Sequence, residues 1–426
     1  MILITLCILV AVFVLAFAGL RLIAPTIIRT SHKIEAPGID RMEMVEIGGI
    51  QQALYIRGQN ADNPIILWVH GGPGNSMMPF LHLYQYEWEN DFTVVNWDQR
   101  NVGKTYFAND PAAVLQTMSA ERVLQDVHEV TAYLKQEFNK EKIILIGHSW
   151  GTVLGTMAVQ TYPEDYSAYI GIAQTVNMVD NERVGYEKTL EMVKAAGKQK
   201  DIKALEAIAP YPPAKYGPSY LAALMTVRTY QSKYGLSINM DLGNIISILA
   251  TPYYSLRELK NTAIVNPNAI DNQGDVLRFL VEEADIRNYG VDYQVPVYYI
   301  MGENDYNSPY LPAKKFFDEI VAPDKQIFFI PDADHLPFLS KKAEFDCVLL
   351  EEIAPKLAKV TTRTVTWIWW QFLLLFQNAS VCFQQLVSMR CLRYIYLEGF
   401  KRGLSLMDIL SISDGVSNRK GWSCYE

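Results

Sequence analysis

The sequence predicts an α/β fold: a mostly parallel β-sheet flanked by helices, with an inserted helical cap and an N-terminal transmembrane helix. Up to residue 173, short apolar strands alternate with helical patterns, as in a sheet covered on both faces. Residues 174–294 then contain helical patterns but no clear buried strand. The first 20 residues carry no charged side chain. At 426 residues, the chain is long enough for one large α/β domain with an insertion.

Composition and charge narrow the class of partner. The formal net charge is -8, and 50% of the residues are hydrophobic. An acidic chain does not offer the clustered Lys and Arg that nucleic acid requires, so we expect a small molecule or peptide as substrate and no nucleic-acid partner. The five cysteines include no C-x-x-C pair, so neither a disulfide framework nor a zinc site is indicated.

Residues 1–34 are predicted to form a membrane anchor and a juxtamembrane linker. The charge-free segment 1–20 is long enough to cross a bilayer as a helix. A cleaved signal peptide is the alternative, because residues 16–18 (AFA) resemble a cleavage site, although the charged n-region is missing. The orientation stays open: Arg21, Arg29 and Lys33 favour a cytoplasmic body, but an N-terminal anchor on a secreted enzyme is equally consistent.

Residues 35–173 are predicted to form the first part of the α/β core. Alternating runs around a Gly-Gly pair predict a β-hairpin over 42–57. A buried strand at 65–69 runs into the glycine loop 70–74 (HGGPG), whose backbone N–H groups are unobstructed, as an oxyanion hole requires. The further elements expected here are strands at 93–97, 142–146 and 168–173 and helices at 120–138 and 152–158.

The second of those strands leads into the pentapeptide 147–151 (GHSWG). A strand, a sharp Gly-flanked turn and a helix are the context that gives the G-x-S-x-G pattern its meaning. There Ser149 would project its hydroxyl above the sheet edge at a helix N-terminus.

Residues 174–294 are predicted to be a helical cap, with helices at 182–196 and 276–286. Residues 295–359 are predicted to form the second part of the core, with strands at 295–300 and 326–330 and helices at 312–320 and 341–357. Residues 360–426 are predicted to be a C-terminal extension of unknown role, without a recognisable catalytic or binding motif.

A serine nucleophile needs a base and a carboxylate that orients it. Of the six histidines, His335 lies in the loop after the last strand, where the chain order Ser, Asp, His places the base. Asp305 is the best candidate for the acid, with Glu303 as the alternative, because both follow the preceding strand. His70 and His148 are expected to pack or hydrogen-bond locally.

These residues predict acyl transfer through a covalent serine intermediate. Ser149 would attack a carbonyl, His335 would accept and return the proton, and Asp305 would steady the imidazolium. The oxyanion would face the backbone N–H of Trp150 and one from Gly71 or Gly72. This chemistry requires no metal and no cofactor.

Five motifs together resemble one family. They are the glycine loop 70–74, residues 98–100 (DQR) with Gly103, the pentapeptide 147–151, residues 302–305 (GEND) and residues 334–335 (DH). Over about residues 35–359 the chain is similar to α/β-hydrolases of the prolyl iminopeptidase-like group. The resemblance implies a Ser149, Asp305 and His335 triad, an oxyanion donor in the glycine loop, and removal of N-terminal residues from small peptides. It also implies that acidic residues of the cap bind the free N-terminal amine of the peptide substrate.

The chain departs from this group in the cap. Residues 151–366 contain no tryptophan, so the Trp-Glu pair of true proline iminopeptidases is missing. Cap glutamates, Glu182 and Glu187 among them, are the weak candidates for binding an amine. The first expectation is therefore a serine aminopeptidase, the second an ester or amide hydrolase of small molecules, and the third a catalytically silent binding protein on the same scaffold.

Overall fold

The structure is a computed structural model that describes residues 2–262 and 266–357. The predicted extension 360–426 lies outside the described residues. Eight strands form one sheet in the order β1-β2-β4-β3-β5-β6-β7-β8. Their bounds are β1 Ile39–Ile47, β2 Ile50–Gly58, β3 Ile65–Val69, β4 Thr93–Asp98, β5 Ile143–His148, β6 Tyr166–Ile172, β7 Val297–Gly302 and β8 Lys325–Ile330.

The sheet is mixed at one side and parallel over the rest. β1 and β2 form the predicted hairpin, and β2 pairs antiparallel with β4. All pairs from β4 through β8 are parallel. The inner strands β3 and β5 are buried along their whole length, which explains why they are continuously apolar rather than alternating. The predicted α/β fold with a mostly parallel sheet flanked by helices is confirmed.

Helices cover the sheet before and after the cap region. α6 shows how they are built: Ser119 caps its N-terminus by accepting a hydrogen bond from the Arg122 N–H, and its apolar stripe, including Val127 and Val130, is buried. The helices of the body are α3 Leu81–Tyr84, α4 Gly103–Ala108, α5 Pro111–Gln116, α6 Ala120–Glu137, α7 Trp150–Thr161, α14 Tyr310–Glu319, α15 Pro337–Ser340 and α16 Lys342–Asp346.

Between β6 and β7 the described chain forms helices and turns. The helices are α8 Met178–Ala195, α9 Gln199–Glu206, α10 Pro218–Lys233, α11 Leu242–Leu249, α12 Leu256–Leu259 and α13 Asp275–Glu282. Val193, Leu205 and Val227, from α8, α9 and α10, are buried in a small apolar cluster of their own.

Two predicted helices differ from the observed ones. The helix expected over 276–286 ends at Glu282, because the Asp285 side chain accepts from the Arg287 N–H and starts a separate 3-10 turn at Ile286–Tyr289. The helix expected over 341–357 is interrupted, since α16 passes into a π-helical stretch, Cys347–Ile353.

The chain begins with two consecutive helices, α1 Ile2–Leu22 and α2 Ala24–Ser31. The stretch Leu9–Ser31 is long and apolar enough to cross a membrane, although a signal sequence would have the same character. The end of α1 is tied to the cap region, because Arg21 donates to the carbonyl oxygens of Leu249 and Tyr254.

Candidate active site

Ser149 lies in a strained turn between β5 and α7. Its backbone has φ 53° and ψ -119°, a conformation that a non-glycine residue rarely adopts. The two flanking glycines make the turn possible. A Cβ on Gly147 would lie 2.4 Å from the Gly151 carbonyl oxygen, and a Cβ on Gly151 would lie 2.0 Å from the Val69 oxygen at the end of β3. The turn therefore packs backbone on backbone, with the serine at its apex.

Asp305 and His335 come together from two different loops. The His335 Nδ1 lies 2.8 Å from the Asp305 Oδ2. Because a carboxylate only accepts, the Nδ1–H donates and the Nε2 is left as the basic nitrogen. The other oxygen, Asp305 Oδ1, accepts from the backbone N–H groups of Asn307 at 2.9 Å and Ser308 at 3.0 Å. The carboxylate is thus held in place on both sides and is fully buried.

The two loops can meet because Gly302 has no side chain. A Cβ on Gly302, at the end of β7, would lie 2.5 Å from the carbonyl oxygen of Asp334, which immediately precedes the histidine. β7 and β8 are parallel neighbours, so the loops after them leave the same edge of the sheet.

His148 hydrogen-bonds to the loop that contains His335 and not to a residue close to it in sequence. Its Nε2 lies 2.9 Å from the His335 carbonyl oxygen, which can only accept, so this nitrogen carries the proton. Burial lowers the pKa of His148 to about 3, an effect to which the neighbouring His335 adds, so His148 is neutral at physiological pH. The expectation of a local contact was wrong for His148, because its partner is distant in sequence and the pentapeptide gives no sign of it.

His70 fixes the start of the glycine loop, as expected. Its Nδ1–H donates to the Gly71 carbonyl oxygen at 2.9 Å, and its Nε2 accepts from the Gln99 N–H at 3.3 Å. Burial lowers the pKa of His70 to about 4, which keeps the ring neutral and able to accept. The Gln99 side chain also donates to the His70 carbonyl oxygen at 3.0 Å, so the loop after β4 stabilises the position of the glycine loop.

The three predicted oxyanion-hole positions lie around Ser149. A Cβ on Gly71 would be 3.0 Å from the Ser149 Cβ, so the glycine loop passes directly over the serine. Gly72 has φ 112°, a backbone conformation that suits glycine. Trp150 is the first residue of α7, so its N–H has no acceptor within the helix. Gly71, Gly72 and Trp150 all line the same cavity as Ser149 and His335.

The cavity has a volume of about 630 Å³ and a predominantly apolar wall. Its charged residues are Arg228 and Asp271, and Asp271 is exposed at the surface. The apolar and aromatic side chains in the wall are Met77, Phe80, Trp150, Met178, Tyr220, Leu221, Leu224, Met225, Ile238, Ile270, Leu277, Leu280, Val281 and Leu336. Many of them belong to the segment between β6 and β7, so the predicted cap supplies much of the chamber above the serine.

The two predicted amine-binding glutamates lie elsewhere. Glu187 is exposed on α8 and is not among the residues that line the cavity. Glu182 is buried, and its carboxylate accepts from the Arg228 guanidinium and from the Tyr211 hydroxyl. Burial alone would lower the pKa of Arg228, but Glu182 raises it, so the guanidinium keeps its charge beside the carboxylate. The placement of Glu182 and Glu187 gives no support to a role in gripping an amine.

The DQR motif joins the core to the cap. Asp98 Oδ2 accepts from the Lys104 N–H at 2.7 Å and from the hydroxyl of Tyr254, a residue of the cap segment, at 2.5 Å. Burial raises the pKa of Asp98 to about 6. Arg100 pairs with the buried carboxylate of Asp126, so this motif has structural partners on two sides.

No group of three or more His, Cys, Asp or Glu residues within 2–262 and 266–357 is arranged to hold a metal ion. The arrangement around Ser149 instead contains the parts that acyl transfer needs: a presented hydroxyl, an imidazole with a free basic nitrogen, a buried carboxylate and backbone N–H donors.

Comparisons with known proteins identify the fold family and several relatives. A family model described as the alpha/beta hydrolase fold matches residues 64–342. The chain is 28% identical to a probable aminopeptidase, YbaC, of Bacillus subtilis (strain 168), over 73% of this chain and 95% of the relative. It is 23% identical to a proline iminopeptidase of Lactobacillus delbrueckii subsp. lactis, over 71% and 94% of the two chains. The crystal structure of a Mycobacterium smegmatis proline iminopeptidase has the same fold, with a TM-score of 0.52, 19% identity, and coverage of 75% and 98%.

Proposed function

Because this chain belongs to the alpha/beta hydrolase fold family, in its prolyl iminopeptidase-like group, we propose that it is a serine hydrolase whose triad is Ser149, His335 and Asp305. The proposal rests on one observation above all: His335 Nδ1 lies 2.8 Å from the buried Asp305 carboxylate. His335 and Ser149 line the same cavity. A histidine held in this way has the orientation and tautomer that a general base requires.

The reaction follows from these positions. Ser149 Oγ attacks the carbonyl carbon of the substrate while His335 Nε2 takes the hydroxyl proton. The carbonyl oxygen becomes an anion facing the N–H of Trp150 and that of Gly71 or Gly72. The intermediate collapses, the imidazolium returns the proton to the leaving amine or alcohol, and an acyl-serine remains. Water, deprotonated by His335, then releases the acid and restores the serine.

We propose aminopeptidase activity on small peptides as the first substrate class. The relatives named above as an aminopeptidase and a proline iminopeptidase are matched over almost their whole length, which supports this choice. Cap side chains line much of the cavity, whose volume of about 630 Å³ suits a short peptide or a similarly small molecule.

Hydrolysis of small apolar esters or amides is the second candidate, and the cap supports it. The Glu182 carboxylate is already neutralised by Arg228, and the wall is mostly apolar. A pocket of this kind favours an uncharged acyl group over a charged ammonium, because burying an unpaired charge is costly.

Paired substrates separate the two classes. Aminoacyl naphthylamides with a free amine and with an acetylated amine, together with short-chain nitrophenyl esters, should be assayed on the full chain and on Ser149→Ala. An aminopeptidase turns over the free amine well and the acetylated one poorly, whereas an ester or amide hydrolase does not make this distinction. Equal turnover of both naphthylamides would overturn the aminopeptidase proposal, and turnover by Ser149→Ala would overturn the triad.

The domain limits and the location complete the proposal. We assign residues 35–173 and 295–359 to the hydrolase core, 174–294 to the cap and 1–34 to a membrane anchor with its linker. The length and apolar character of Leu9–Ser31 support the anchor. Cell fractionation followed by treatment with an impermeant protease tests it, since a cleaved signal peptide would leave the mature protein in the soluble fraction.

A further inference from the structure

The cap helix α11 presents its apolar side to solvent. Leu242 is 71% exposed, Ile245 45% and Ile246 44%, and Leu249 continues the same face at helical spacing. Only Ile248, of the apolar side chains on this helix, is buried. A helix on the surface of a soluble domain normally does the reverse, with its apolar stripe against the core. Such an exposed stripe indicates a surface that is covered in the working molecule.

The position of α11 indicates what covers it. Arg21, at the end of the apolar helix α1, donates to the carbonyl oxygen of Leu249, the last residue of α11. Arg29 in α2 donates to the Pro252 carbonyl oxygen at 2.8 Å. Because eight helical residues span roughly 12 Å, the whole exposed stripe lies close to the end of α1. If α1 crosses a bilayer, α11 is held at its surface.

The neighbouring side chains suit that location. Leu22 at the end of α1, Ile23 between the helices and Ile27 in α2 are 59% to 74% exposed. Beside them is a pocket of about 420 Å³ whose lining includes Arg21 and Arg29 and no acidic residue; Lys104, also in its lining, is paired with Glu258. Within the described chain, Arg21 and Arg29 donate to carbonyl oxygens and form no ion pair, so their charge is uncompensated. Cations beside an apolar surface are what an interface with anionic lipid headgroups requires.

We propose that α11 is a membrane-contact element of the cap, with the face of Leu242, Ile245 and Ile246 inserted among the lipids beside α1. The proposal depends on α1 being a membrane anchor, as proposed above, and does not depend on the reaction that Ser149 catalyses. It also has a consequence for the cavity, because Ser237 and Ile238 line the cavity wall only a few residues before α11. The bilayer would then lie next to one rim of the chamber above Ser149.

The test places an environment-sensitive fluorescent amino acid at position 245 of the full chain, reconstituted into vesicles of phosphatidylcholine and phosphatidylglycerol. Position 321 is the matched control, because Val321 is 61% exposed but precedes β8 and so lies at the opposite edge of the sheet from the cap. We expect a blue shift at 245 and loss of most of its emission when nitroxide-labelled lipid is included. The probe at 321 should show neither effect.

Three results would overturn the proposal. Equal behaviour of the two probes in protein that floats with the vesicles means that α11 does not touch lipid. A blue shift at 245 that depends on protein concentration and is insensitive to nitroxide lipid means that a second copy of the chain covers the face. Failure of the protein to float with vesicles removes the anchor and this proposal together, while turnover by Ser149 would be unaffected.

A double variant provides an independent check at the same face. With the probe at position 242, Ile245→Asp/Ile246→Asp should lose the blue shift, because carboxylates are costly among lipid chains. Both positions are exposed, so the variant is expected to fold and keep its turnover of soluble substrates. Retention of the full shift in this variant would contradict the proposal.

Discussion

At the residue scale, the site depends on contacts that orient one imidazole. Asp305 holds Nδ1 of His335, and His148 holds the main-chain oxygen of the same residue. Ser149, Asp305 and His335 could be proposed from sequence because each follows a recognisable strand or lies within a recognisable motif. The partner of His148 and the pairing of Glu182 with Arg228 could not, because both contacts join segments whose approach is set by the tertiary fold.

Asp305→Asn is expected to lower kcat by about 10³- to 10⁴-fold with little change in KM. The backbone N–H groups of Asn307 and Ser308 need the amide oxygen as acceptor, so the NH2 group faces His335. His335 Nδ1 must then accept, which places the proton on Nε2 and leaves it unable to accept the serine proton. Turnover of the best naphthylamide or ester measures the effect.

Glu303→Gln is the matched control, since Glu303 is in the same loop but exposed. Its turnover should stay close to that of the unaltered chain. A large loss in Glu303→Gln with near-normal Asp305→Asn would transfer the role of the acid to Glu303.

At the scale of elements, the strands were predictable because buried parallel strands are continuously apolar. β3, β5 and β7 are buried throughout, and the sequence marks all three. The cap was harder, because helices such as α9, α11 and α12 have only four to eight residues and their periodicity is too short to recognise. In α11 the apolar stripe also faces outward, so a pattern that normally identifies the core identifies a surface.

The contact between α7 and β3 gives a prediction at this scale. Gly151→Ala should lower the free energy of unfolding by about 3 kcal/mol, because its Cβ would meet the backbone oxygen of Val69, which cannot move aside as a side chain would. Thermal or urea unfolding of the purified full chain measures the change.

Gly243→Ala in α11 is the control for this substitution. Within the described chain, and apart from the backbone of its own helix and its chain neighbours, only the side chain of Asp241 lies within 4 Å of the Cβ that it would add. Its stability should change by less than about 1 kcal/mol, in either direction. Equal stability of Gly151→Ala and the unaltered chain would contradict the close packing of α7 on β3.

At the scale of the whole molecule, the parallel sheet brings distant parts of the chain together. The turn after β5, the loops after β7 and β8 and the glycine loop after β3 all leave the carboxyl edge of the sheet, where the cap supplies most of the apolar wall. The succession of strands along the chain could be predicted from the apolar runs, and the motifs predict which residues form the proposed triad. The identity of the substrate could not, because it depends on how the cap helices pack, and the cap has neither the Trp-Glu pair of the group nor an unpaired Glu182.

The most direct test of the central claim is covalent labelling of the full chain with a fluorophosphonate, read by peptide mass spectrometry. The proposed triad predicts one adduct, on Ser149, which is absent in Ser149→Ala and forms far more slowly in His335→Ala. Labelling that persists in Ser149→Ala, or folded wild-type protein that forms no adduct on Ser149, would contradict the assignment of this chain as a serine hydrolase.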